Sequence, residues 1–100
     1  MDALRKLFSR PADLDGTAMV AAAVVAQANT TLQEEYQLEP DLAKAVTYQD
    51  GTLAIETYHG AVAGRLASDT KELQKKIQAR LIRVFAGQQL PVVRIQFRQR

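Results

Sequence analysis

The chain has no cysteine and no tryptophan, and its 100 residues include one histidine, three prolines and five glycines. Without cysteine there is no disulfide framework and no thiolate metal site, which fits a reducing compartment such as the cytoplasm. A single histidine removes most zinc chemistry. Long hydrophobic runs are also missing. The longest, residues 18–26 (AMVAAAVVA), is nine residues, against the roughly 20 needed to cross a bilayer. Ala26-Gln27-Ala28 imitates a signal-peptidase site, but Asp13 and Asp15 separate the apolar run from the preceding bases, the wrong flank for an exported segment. No membrane is implied. What is present is ordinary for a globular domain: 47% apolar, 24% charged and a net charge of +2. That balance argues against disorder, and the length supports one core rather than two.

The small net charge conceals a segregation. Residues 13–64 carry eight acids and one base, Lys44, whereas residues 65–100 carry nine bases against Asp69 and Glu72. A basic C-terminal third is what a polyanion-binding surface requires. The alternative is that the two halves neutralise each other in the fold.

Residues 2–8 are expected to form a short helix with Leu4, Leu7 and Phe8 on one side, and residues 11–16 a linker, leaving 17–100 as the domain. From a possible N-cap at Thr17, a helix runs to about Gln37, with Val20, Val24, Ala28, Leu32 and Tyr36 as its buried stripe; Pro40 stops it. Residues 43–49 and 52–58 alternate in character around Asp50-Gly51, a turn pair suited to positive φ, and predict a hairpin. Residues 60–86 read as one long helix closed by Gly87, burying Leu66, Leu73, Ile77, Leu81 and Val84. In the last strand, 92–98, Val93, Ile95 and Phe97 alternate with Arg94, Gln96 and Arg98. This order predicts an α+β, two-layer αββαβ domain: a three-stranded sheet with helices on one face, its last strand parallel to an earlier one.

Catalytic patterns are weak. Glu34 and Glu35 are adjacent, so on a helix their carboxylates diverge by about 100°. Glu56 is isolated in sequence. His59 at a strand end suits capping or the surface better than chemistry, and no base accompanies Ser9 or Ser68. Residues 60–64 (GAVAG) match neither a phosphate-binding P-loop nor a dinucleotide fingerprint; they suit a strand-to-helix turn. No enzyme, cofactor or metal is implied.

The basic residues form the better constellation. Lys76, Arg80 and Arg83 recur at i, i+4 and i+7 on a helix flank, with Arg65 nearby; Arg94 and Arg98 alternate on one strand face, with Arg100 beyond. Tyr58 and Tyr48 are expected near that face, the parity of the first strand being undetermined. Arginines would track phosphates while the rings stack unpaired bases, which makes Lys76, Arg80, Arg83, Arg94, Arg98 and Tyr58 the candidate nucleic-acid-binding residues. The alternatives are a solvated helix flank beside an arginine-protected sheet edge, or a protein-interaction module. In the latter, the acidic residues from Glu34 to Asp41 with Glu56 meet a basic partner, or the Ala-rich helix pairs with a second copy through Val20, Val24 and Ala28.

Residues 42–81, with Asp50-Gly51-Thr52-Leu53, Ile55, Arg65-Leu66, Leu73, Ile77 and Leu81, followed by Arg94-Ile95 and Phe97-Arg98, resemble the core domain of the DciA family of bacterial replicative-helicase loaders. The similarity spans roughly residues 30–100. It implies a KH-like fold, a role in DNA replication, and contacts with single-stranded or forked DNA and with the replicative helicase. It further implies a short member: Tyr36-Gln37-Leu38 stands where the family often has Trp-Val-Gly, and the basic C-terminal extension of many members is not seen. RNA offers the same phosphates and stackable bases as DNA. A monomer or weakly associating dimer is expected.

Overall fold

The computed structural model describes residues 12–86 and 90–100. Helix α1 (Ala12–Glu35) is followed by strands β1 (Ala43–Gln49) and β2 (Thr52–Thr57), helices α2 (Gly60–Ser68) and α3 (Thr70–Val84), and strand β3 (Arg94–Gln99). The class is the expected α+β, and the order is αββαβ with the second helix broken in two. The predicted short helix over 2–8 and the capping Gly87 lie outside the described residues.

Helix α1 begins five residues before Thr17, so residues 12–16 belong to it rather than to a linker. The helix includes this stretch even though Gly16 disfavours it. The predicted stripe is buried: Val24 and Ala28 are wholly inaccessible, Leu32 and Tyr36 nearly so, and Val20 packs at its end. These residues are covered by the chain's own sheet, so the Ala-rich helix cannot pair with a second copy through Val24 and Ala28. The chain leaves helix α1 through a residue in the left-handed region, Gln37 (φ 56°), two residues past its end, and the Leu38 N–H donates back to the Leu32 carbonyl at 2.9 Å.

Asp50 and Gly51 both take positive φ, 52° and 79°, in the tight turn of the predicted hairpin. β2 is the central strand, antiparallel to β1 and parallel to β3. Leu53, Ile55 and Thr57 face the helices, where Ile95 and Phe97 of β3 lie beside Leu53 and Ile55. On the opposite face, register aligns three rows: Gln49–Thr52–Arg94, Thr47–Ala54–Gln96 and Lys44–Glu56–Arg98. Among the described residues no helix packs on that face.

The predicted long helix breaks at Asp69 (φ −112°, ψ 21°). The hydroxyl side chains on either side of it compete there with the helical ladder. Ser68 Oγ donates to the Arg65 carbonyl and Thr70 Oγ1 to the Ala67 carbonyl, at 3.0 and 2.7 Å, and the Asp69 carboxylate accepts from the Tyr36 hydroxyl at 2.5 Å. Leu66, Leu73, Ile77 and Leu81 are fully buried as predicted, but Val84 in the final turn is 47% exposed, and Phe85 packs on the core instead. No described helix is long and apolar enough to cross a membrane.

Candidate nucleic-acid interface

The six predicted binding residues divide between two surfaces with the sheet between them. Lys76, Arg80 and Arg83 project from α3 toward the C-terminal end of α1, where with Glu34, Glu35 and Ala79 they line a hollow of about 330 Å³. Arg94, Arg98 and Tyr58 belong to the helix-free face of the sheet.

The helical cluster is largely committed within the fold. Arg80 Nη2 donates to Glu34 Oε1 at 2.9 Å and to Glu35 Oε2 at 3.3 Å, with its side chain 24% exposed. The adjacent carboxylates that helix geometry was expected to splay therefore converge on one guanidinium, because their side chains are long enough to bend back. Lys76 Nζ lies 4.8 Å from the centre of the Tyr36 ring, and the Arg65 guanidinium lies 5.4 Å from it, each a cation over an aromatic face. Burial and the bond to Asp69 hold the Tyr36 phenol far above its ordinary pKa, so it stays protonated. Of this cluster only Arg80 is paired with carboxylates among the described residues; Lys76 lies over the Tyr36 ring, and Arg83 is exposed in the last turn of α3 with neither kind of partner.

The sheet face is less encumbered. Arg98 extends from β3 with no carboxylate partner among the described residues, and Arg94 Nη2 donates to the Asp50 carbonyl at 2.9 Å, which positions the guanidinium without neutralising it. Lys44 and Arg98 flank Glu56 in one row. Glu56, 8% exposed, is the carboxylate of this face. It accepts from Arg100 Nε and Nη2 at 3.1 and 2.8 Å, and from the Tyr58 hydroxyl at 2.8 Å. The Arg100 bonds, then the Tyr58 bond, hold its pKa below the ordinary carboxylate value, and the same bond raises the Tyr58 phenol. Beside this cluster lies a hollow of about 230 Å³ with Ala54 as its floor, walled by Thr47, Gln49, Asp50, Thr52, Gln96 and Arg98.

Tyr48 is not on this face. The register shift between Ala45 and Thr47 inserts Val46 as a bulge and reverses the parity of the rest of β1. Tyr48 consequently lies opposite Leu53 on the helix side, packs against the core and donates its hydroxyl to the Val92 carbonyl. A bulge leaves no clear mark in an alternating sequence, so this reversal was hidden. Sequence reasoning also missed the roles of Lys44, Gln96 and Ala54: only cross-strand register brings them beside Arg98.

The remaining candidates for chemistry have local roles. His59 caps α2, its Nδ1 accepting from the Ala61 N–H at 3.2 Å, and Ser68 bonds within its own helix. Among the described residues no three His, Asp or Glu side chains gather as a metal would need. The chain matches no model of a known protein family and no curated protein.

Proposed function

We propose that the protein is a non-enzymatic nucleic-acid-binding domain that holds a single strand across the helix-free face of its sheet. The observation that carries this reading is the Ala54 hollow, with the charge of Arg98 at its wall and hydrogen-bonding amides and hydroxyls around it. A flat base fits a depression of small floor and polar rim, where Gln49 and Gln96 supply both donors and acceptors. Arg98, Arg94 and Lys44 lie where the flanking phosphates would run, and the Tyr58 ring offers a stacking surface. Lys76 and Arg83 form a second, weaker positive surface, and Arg80 serves the α1–α3 contact instead. The resemblance noted above supplies the cellular setting of this proposal: DNA replication in the cytoplasm, with the replicative helicase as partner.

Three phosphate contacts on single-stranded DNA give a logarithmic salt slope of about −2, so affinity should fall about 20-fold between roughly 50 and 200 mM salt. Fluorescence anisotropy with a labelled single-stranded oligonucleotide measures this directly. Arg98→Glu should weaken binding at least tenfold at the lower salt, whereas Arg83→Gln should change it by less than threefold. Absence of binding at the lower salt, or a larger loss from Arg83→Gln than from Arg98→Glu, would overturn the assignment.

A further inference from the structure

The two edges of the sheet are finished differently. At β1 the bulge twists the strand, and α1 closes the Ala45 peptide: Asn29 Nδ2 donates to the Ala45 carbonyl at 3.1 Å while Asn29 Oδ1 accepts from the Ala45 N–H at 2.9 Å. Such devices stop an edge from pairing with another strand. β3 has neither device. It pairs with β2 without a register shift. The N–H groups of Arg94 and Arg100 bond to the Gly51 and Thr57 carbonyls, so by parallel alternation the peptide groups of Arg94, Gln96 and Arg98 serve β2 and those of Ile95, Phe97 and Gln99 point away from it. No hydrogen-bond partner for these outward groups occurs among the described residues.

We propose that the free edge of β3 accepts an extended peptide as a fourth strand, and that this peptide alternates acidic with apolar residues. The side chains flanking the edge define its chemistry. On the helix side Ile95 and Phe97 are only half-buried and present apolar surface to every second residue of an added strand. On the other side stand Arg94 and Arg98, exposed, with Gln96 between them, so the intervening residues of the added strand meet positive charge. A second copy of β3 is the wrong occupant, because antiparallel self-pairing about Gln96 or Phe97 sets Arg94 opposite Arg98 or Arg100 of the other copy. Main-chain bonds supply the affinity and the alternating side chains the selectivity. This surface shares Arg94 and Arg98 with the nucleic-acid reading but takes its main-chain bonds from the plane of the sheet, which that reading does not use.

The test uses the whole chain, isotopically labelled, and a capped eight-residue peptide of alternating glutamate and valine. Binding should slow amide exchange of Ile95, Phe97 and Gln99 by tenfold or more and leave Arg94, Gln96 and Arg98 unchanged. The same peptide N-methylated at alternate positions along one edge keeps its charge and side chains but loses its backbone donors, and should bind at least tenfold more weakly; replacing glutamate by lysine should abolish binding. Equal binding of the N-methylated peptide, no protection of the three amides at millimolar peptide, or their protection by single-stranded DNA instead, would each overturn the proposal.

Discussion

Gln37 carries the clearest residue-level cost among the described residues. A side chain at φ 56° clashes in a way that glycine avoids. Gln37→Gly should therefore stabilise the domain by about 0.5–1 kcal/mol, the left-handed strain relieved less the extra chain entropy of glycine, and urea denaturation would show it as a raised midpoint with unchanged slope. Glu56 makes a different prediction. Its folded-state pKa lies below the ordinary value because Arg100 and Tyr58 bond the charged form, so its contribution is present above the unfolded pKa and is lost as pH falls through the folded one. The melting-temperature difference between the native chain and Glu56→Gln should be largest near neutral pH and vanish on acidification below the carboxylate range. A constant difference across that range would refute the linkage. Glu56 illustrates how far a residue can be read alone: isolated in sequence, it is joined in space by Arg100 from a strand end 44 positions away.

The individual elements were legible to different degrees. Asp50-Gly51 announces the hairpin because few other residue pairs tolerate two successive positive φ values, and β1 matches its predicted span of Ala43–Gln49. The stripes of α1 and α3 are equally readable, since burial follows helical period. The break at Asp69 was readable in principle from Ser68-Asp69-Thr70, where the two hydroxyls bond back to the chain, but the apolar spacing from Leu66 to Leu73 continues across it and masks the signal. The bulge in β1 was not readable, because alternation on both sides of Val46 looks intact until β2 supplies the register. Asn29 belongs to this scale as the link that seals β1 onto α1. Asn29→Ala should cost about 1 kcal/mol, two edge hydrogen bonds lost and partly offset by the better helix former, and the Ala45 amide should exchange faster by hydrogen-exchange NMR.

At the scale of the whole molecule, the segregated charges meet in part. Arg80 with Glu34 and Glu35, and Arg100 with Glu56, join the basic third to the acidic middle, while Arg83, Arg94 and Arg98 stay clear of carboxylates among the described residues. Neutralisation and an available basic surface, posed as alternatives from the sequence, coexist on one molecule. The two surfaces should act separately: Arg80→Gln should lower stability by at most about 1 kcal/mol, as exposed ion pairs do, and leave oligonucleotide affinity within a factor of two. In the Arg80→Gln, Arg98→Gln double variant, stability and affinity losses should be additive because the residues share no partner; a coupling above about 0.5 kcal/mol in either would place them in one site. The sequence by itself determined the class of fold, the identity of the core and the turn of the hairpin, because each depends on local spacing and on backbone preferences carried by single residues. Tertiary structure alone decided which arginines are spent on glutamates, which face Tyr48 takes, and which strand edge is left open. Those outcomes depend on cross-strand register and helix-to-sheet contacts between residues far apart in the chain, which no local pattern encodes.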